Sequence, residues 1–389
     1  MKSTLKDLRE YVREEDVKFI RLAFCDLQGH IKNAAIMPDE LERAFREGIT
    51  FDGSAVKGFE TPEKSDLFLY PDLATLTALP WRPSHGRVIR LFCAVKTPDG
   101  KPYELDMRGV LKKAIEYAKE RGIFCDFGTE FEFYLFKLDE DGNKTDVLCD
   151  EAGYMDVAPK DKGENVRREI CLAIEEMGLY PERSHHEEGF GQNEIDFRYS
   201  DALSSADHAV IFKNAAETIA YKNGFYASFD PKPVENQPGS GLHINVSVKD
   251  KDGKDIFESF VAGVLEYVRD MTLVFNPTES SFERLGKMKA PKKITCGKED
   301  RTALIRLPAT KGEKRFELRS PDGGANVYLA YALLIYAGVS GVEKGLRLEN
   351  KEYGELPSSL EEAKRAFTSS EFIKEHLSKK VVEAVLLRE

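Results

Sequence analysis

The sequence predicts a two-domain α+β protein, and three observations lead there. Its 389 residues exceed one ordinary domain. A turn-rich segment, TPDGKPYELD at 97–106, breaks the pattern and places a boundary between 1–104 and 105–389. Beyond it, amphipathic helices alternate with short strands whose two faces differ in chemistry. Apolar residues make up 41% and charged residues 32%, enough for a sizeable core and unlike a disordered chain.

Residues 1–104 read as a short helix followed by strands, with 17–24 alternating and 87–95 β-rich. Between them runs FDGSAVKGFETPEKSDLFLYPDLATLTALPW, punctuated by glycine and proline. The segment 107–121 has helical periodicity, with Asp106 as N-cap and Gly122 as C-cap. Further helices are predicted over 165–177, 206–223 and 256–275, ending at Gly178, Gly224 and Asn276-Pro277. Ser358 and Glu361 form a capping-box pattern opening another. The longest apolar stretch, 327–342, holds three tyrosines and two glycines and falls short of the ~20 residues of a membrane span, so it reads as a buried helix.

The balance of 57 basic against 68 acidic residues, a formal charge of −11, argues against a nucleic-acid partner. The opening MKSTLKDLREYVREEDVKF lacks the apolar core of a signal peptide, and no membrane partner is expected. The six cysteines form no CxxC pair and are expected to be mostly small buried thiols of a reducing cytoplasm.

The strands carry the chemistry. In GTEFEFYLF (128–136), Phe131, Phe133 and Leu135 point one way while Glu130 and Glu132 share the other face. In GLHINVSVK (241–249), His243, Asn245 and Ser247 line the side opposite Leu242, Ile244, Val246 and Val248. In KRFELRS (314–320), Arg315, Glu317 and Arg319 stand opposite Phe316 and Leu318. Arg306 lies in ALIRLP, and Glu194 opens EIDFRY after HHEEGFGQN. One such strand alone reads as a half-solvated sheet. In one common sheet, their polar faces would converge into a charged cavity.

Glu130, Glu132, Glu187, Glu194, Glu317 and His243 form a hard donor set, suited to Mg²⁺ or Mn²⁺ rather than structural zinc. Two such ions can clamp a phosphoryl group in transfer. Arg284, Arg301, Arg306, Arg315 and Arg319 add guanidinium groups that grip phosphate or carboxylate. There is no P-loop or GxGxxG motif, and His185-His186 has neither cysteine partners nor HExxH spacing. The residues read as two-metal phosphoryl transfer acting on an anionic substrate.

The chain resembles the bacterial-type (type I) glutamine synthetases. The resemblance rests on FDGSAVKGF (51–59), the YPD to LPW segment, GTEFEFYLF, HHEEGFGQNEIDF (185–197), GSGLHINVS (239–247), ALIRLP and RFELRSPDGGANVYLAYALLIYAG (315–338). It implies a small N-terminal β-grasp-like domain and a large catalytic domain with a curved, mainly antiparallel sheet flanked by helices. It further implies that Glu132, Glu187 and Glu194 hold one Mg²⁺ or Mn²⁺, and that Glu130, His243 and Glu317 hold another. Gly239, Arg284, Arg301 and Arg319 match positions that contact glutamate, and Glu182, Ser247, Arg306 and Arg315 match positions around ATP. Asn245 stands where many relatives have a nucleotide-contacting histidine. Asp52 matches a residue that reaches into the neighbouring subunit's ammonium site, and Tyr154 matches another member of it. The implied assembly is a homo-oligomer, a dodecamer of two stacked hexameric rings. The implied reaction joins glutamate to ammonia at the expense of ATP, through γ-glutamyl phosphate.

The sequence departs from the family in its flap, 284–291, which is one residue shorter than usual. Lys289 stands where relatives carry the glutamate that takes a proton from ammonium. Ala55 replaces a usual serine and Pro238 a usual asparagine. These departures motivate an alternative, a γ-glutamyl ligase using an organic primary amine. A non-catalytic glutamate- or glutamine-binding regulator is a third reading, disfavoured by the retained metal ligands. The loop bearing a regulatory tyrosine in some relatives is compressed to NKEYGELPSS, where Tyr353 reads as an ordinary surface residue.

Overall fold

The computed structural model describes residues 4–83, 85–349 and 352–387. Asn350 and Lys351, which begin the compressed loop, lie outside the described residues, as do the first three of the chain. The N-terminal region forms a six-stranded sheet around Val17–Cys25 and Arg87–Lys96, which pair in parallel. Ile31–Ile36 and Asp66–Pro71 flank that pair antiparallel, and Ile49–Asp52 forms the far edge. Of the alternation expected over 17–24, only 19–22 follow it, with Ile20 and Leu22 turned fully into the core; Val17 and Ala23, on the other phase, are buried too.

The second region is built on a ten-stranded sheet whose centre is the long strand Ile123–Leu138. Its neighbours are Leu242–Asp250 on one side and Gln192–Phe197 on the other, both antiparallel. Phe316–Leu318, Ile305–Leu307 and Cys296–Lys298 extend the first side, and Pro181–His186 the second. The pairing is antiparallel except between Cys296–Lys298 and Ile305–Leu307. This is the expected α+β architecture.

Helices cover the apolar side. Phe131 and Phe133 pack against Phe212 of the helix Ala202–Lys222 and against Phe229, and Phe127 stacks on Tyr331 of Val327–Glu343 at 4.1 Å. Burying each ring contributes about 1.5–3 kcal/mol, so the aromatic face holds the sheet down while the acidic face stays open. Val327–Glu343 is a buried helix packed on Phe257–Phe275 and Met107–Glu120. Among the described residues, no helix is long and apolar enough to cross a membrane.

Three caps differ from expectation in detail. Ala202–Lys222 begins earlier than residue 206 because Asp201 accepts from the Ser204 amide at 3.1 Å. The tail helix Leu360–Ser369 is capped one residue later than expected, by Ser359 accepting from Glu362 N at 3.2 Å. Glu362 in turn accepts from the amide of Ser358 at 2.9 Å, so two adjacent serines divide the roles that one residue plays in a capping box. Asp106 occupies the N-cap position, but its carboxylate accepts from Val95 N at 3.1 Å, which ties the helix Met107–Glu120 to the N-terminal sheet. Tyr353 is half-buried against the core.

Candidate active site

Strand register assembles the site. Across Pro181–His186, Gln192–Phe197 and Ile123–Leu138, His185 pairs with Glu194 and Glu194 with Glu132. One step along, Asp196 pairs with Glu130, and Glu130 with His243 on the other side. Asn245 then pairs with Glu317, and Glu317 with Arg306. Side chains facing the same way on adjacent strands lie within interaction distance, so the paired strands deliver one continuous acidic and basic surface.

Two groups of possible ligands result. Glu130, His243 and Glu317 form one: His243 Nδ1 lies 3.6 Å from Glu130 and 3.5 Å from Glu317. Glu187 and Glu194 form the other with His185, whose ring nitrogens stand 3.6 Å and 3.4 Å from them. Glu132 stands between the groups, 4.0 Å from His243 Nε2, with its other oxygen accepting from Gly241 N at 2.7 Å. Periodicity alone does not single out His185 or Asp196. Asp196 joins Glu130 and Glu194 in a further acidic group and is paired with Arg183.

The electrostatics fit a cation. Burial, and then the nearby Glu132, pushes the Glu187 carboxyl up to about 7. Burial, then Asp196 and Glu132, raises Glu194 well above its usual range, while burial and Glu130 take Asp196 to about 6. Glu130 goes the other way: despite its burial, the His243 hydrogen bond holds it down to about 2. Carboxylates this crowded and desolvated resist ionising together, and a bound cation would relieve both their burial cost and their mutual repulsion. Hard oxygen donors in that state suit Mg²⁺ or Mn²⁺. Burial pushes the His185 imidazole below its usual value.

The arginines take distinct places. Arg306 Nη1 donates to Glu317 at 2.8 Å, and Arg319 pairs with the other oxygen of the same carboxylate. The Nε atoms of Arg306 and Arg319 are buried without a hydrogen-bond partner among the described residues. Arg284 is buried and donates to the carbonyls of Ser320 at 2.8 Å and Arg319 at 3.2 Å. Gly239 lies against it, and a Cβ there would stand 2.7 Å from Arg284 Cγ. Only glycine lets the chain pass this close. Gly239, Arg284, Arg301, Arg306, Arg319 and Lys289 all line a cavity of about 490 Å³ with the acidic groups, and Tyr154 lies at its edge, ring edge-on to His185.

A second cavity of about 550 Å³ adjoins the first, sharing Glu130 and Arg315. Glu182, Asn245 and Ser247 line it. Arg315 flanks its strand and is exposed, its Nε donating to Asn245 at 3.2 Å, while Asn245 donates to Glu130 at 2.9 Å. Asp52 lines neither cavity; its carboxylate accepts from the amide and hydroxyl of Ser54 and is held below the usual range by them.

The segment bearing Tyr154 hangs on one buried acid. Asp150 accepts from the amides of Ala152 at 3.2 Å, Lys162 at 2.8 Å and Gly191 at 3.1 Å, and pairs with His186 Nε2 at 2.9 Å. Despite its burial, His186 and these amides hold it well below the usual carboxylate range. Its stabilisation is therefore present above the unfolded value and lost as pH falls. Asp150→Asn is expected to cost about 2 kcal/mol at neutral pH and to flatten the acid-side fall in melting temperature. Melting curves from pH 3 to 7, with the variant overlaying wild type as the contrary result, test this.

Comparison with known proteins gives a consistent answer. Residues 104–386 match the family model described as glutamine synthetase, catalytic domain, and residues 16–98 match glutamine synthetase, beta-Grasp domain. A glutamine synthetase of Methanosarcina mazei is 43% identical over 97% of this chain and 92% of its own. One from Clostridium saccharobutylicum is 43% identical over the same shares, 97% and 92%. Among solved structures, a GmaS/ADP complex is similar with a TM-score of 0.88 at 28% identity, covering 98% of this chain and 94% of that one. A Plasmodium falciparum glutamine synthetase shares the fold with a TM-score of 0.89 at 22% identity, covering 99% of this chain and 94% of that one. The chain belongs to the glutamine synthetase family.

Proposed function

We propose that this chain is a glutamate–ammonia ligase, which joins glutamate to ammonia with ATP hydrolysis to give glutamine, ADP and phosphate. The observation that carries the reading is the register-built meeting of two carboxylate groups with Arg306 and Arg319 on Glu317, in a chain matching both family domains. In this reading residues 1–104 form the β-grasp domain and 105–389 the catalytic domain.

ATP enters the cavity lined by Glu182, Asn245, Ser247 and Arg315, with its phosphates toward Glu130 and, in the adjoining cavity, Arg306. The similar GmaS structure is a complex with ADP, which supports a nucleotide in this fold. Glutamate lies along Gly239 with Arg301 and Arg319 on its carboxylates, and Arg284 stiffens that wall. Its γ-carboxylate oxygen bonds to the γ-phosphorus as the bond to ADP breaks; ammonia then bonds to the carbonyl carbon, phosphate leaves and one proton is lost. The chain positions these groups and offsets their charge. Glu132, Glu187 and Glu194, and Glu130, His243 and Glu317, would hold divalent cations, Mg²⁺ or Mn²⁺, which when bound neutralise charge on the transferring phosphoryl group. Asp52 and Tyr154 complete the amine end across a subunit junction. That requires a homo-oligomer, here a dodecamer of two hexameric rings in the cytoplasm.

A second reading, an organic primary amine in place of ammonia, is favoured by Lys289, which cannot act as the base while protonated. Phosphate release is the test, measured with ATP, Mg²⁺ and glutamate, without amine, with ammonium, and with each of a panel of amines. Release requiring ammonium supports glutamine synthesis. A kcat/KM higher by orders of magnitude for an organic amine replaces it with the second reading.

A further inference from the structure

An ion pair the reaction does not call for lies in the wall of the acid-lined cavity. Lys289 Nζ in the flap pairs with Glu188 Oε1, in the turn that follows Glu187. Their side chains are 54% and 41% exposed. The flap is braced within itself, and the turn opposite partly through Gln237. In the flap, Lys287 N donates to Arg284 O at 3.0 Å, Ala290 N to Lys287 O at 2.9 Å and Gly286 N to Ala290 O at 3.2 Å. Opposite, Glu188 N donates to Glu187 at 3.0 Å, Gly189 N to Gln192 at 2.9 Å and Phe190 N to Gln237 at 3.2 Å. Two small hydrogen-bonded turns thus meet through a charge pair, both residues lining the same cavity.

We propose that Glu188 and Lys289 form the latch of the amine entrance, holding the flap closed over the γ-glutamyl phosphate and limiting its loss to water. The proposal rests on the ligase reading above. If water enters, its oxygen bonds to the carbonyl carbon, phosphate leaves, a proton is released and glutamate returns, so ATP is hydrolysed without amide. An exposed ion pair biases such a closure only several-fold, which suits a flap that must open for every product. The pairing also means that Lys289 does not face incoming ammonium as an uncompensated cation, since Glu188 shares its field. Both residues act by positioning the flap, not by touching the reacting atoms.

The test is phosphate released per amide formed, in the intact assembly with the best amine. Glu188→Gln and Lys289→Gln should each raise the phosphate released in excess of amide by about two- to fivefold, the bias expected of an exposed pair. The double variant should be no worse than either single, because both remove the same contact, and Lys289→Arg should retain coupling. Equal ratios in wild type and singles, or additive effects in the double, would overturn the latch. Hydrogen exchange gives an answer independent of turnover: the Gly286 and Ala290 amides should exchange faster in Glu188→Gln than in wild type. Unchanged exchange there defeats the latch even if ligation is robust, whereas faster exchange in a protein that ligates nothing keeps the latch and rejects the ligase.

Discussion

Glu317→Gln is expected to lower glutamate-dependent phosphate release by about two to three orders of magnitude, the cost of losing one preorganised electrostatic group. Glu317 is 1% exposed and serves three neighbours at once: Arg306 at 2.8 Å, Arg319, and His243 Nδ1 at 3.5 Å. A neutral amide of the same size keeps the packing but cannot balance two guanidinium groups, and its NH₂ would point a donor at one of them. Breaking a buried charge pair on one side costs about 3–5 kcal/mol, so the melting temperature should fall as well. Glu317→Asp separates the two effects: it retains the charge on a shorter side chain, so it should recover stability more than rate. Phosphate release and melting curves on the three proteins give the answer. A Glu317→Gln enzyme turning over at close to the wild-type rate with Mg²⁺ would remove Glu317 from the site.

Period-two alternation makes much of this site legible, because Glu130 and Glu132 must share a face once Phe131 and Phe133 go inward. Alternation says nothing about register, however. That Glu194 sits opposite Glu132, and Asp196 opposite Glu130, depends on where separate strands meet. By sequence, Asp196 is therefore an ordinary outward residue, although EIDF places it in phase with Glu194. His185 lacks zinc spacing, yet sequence spacing does not constrain a ligand group gathered across strands. The central strand runs from Ile123 to Leu138, longer than its charged motif, because Cys125 and Asp126 continue the pairing with Val248 and Ser247. Glu188 carries no signal at all. A lone acid in a glycine-rich turn looks solvated, and its partner Lys289 is 101 residues away. The flap's altered chemistry is visible in the sequence; the counter-charge facing it is a property of the fold.

Metal removal is expected to invert the pH dependence of stability. In the metal-free protein, Glu187 titrates near 7 against 4.5 when unfolded, because it is buried and faces Glu132. A raised folded value means that this group supports the fold fully below about 4.5 and withdraws that support as pH rises through 7, by an amount of about 2–3 kcal/mol. Glu194 is raised for the same kind of reason and adds in the same direction. The chelated protein should therefore melt progressively lower between about pH 4.5 and 7.5. With Mg²⁺ at about a thousand times its dissociation constant, binding adds about 4 kcal/mol, and more where the carboxylates are ionised, because ligands must be deprotonated to bind. The melting temperature should then rise over the same range, and the two curves should diverge with increasing pH. Glu187→Gln removes one titrating charge, so it should flatten the chelated curve while weakening the response to Mg²⁺. Parallel curves with and without Mg²⁺ would mean that these carboxylates relieve their repulsion by some means other than a cation, and the two-metal reading would fall with them.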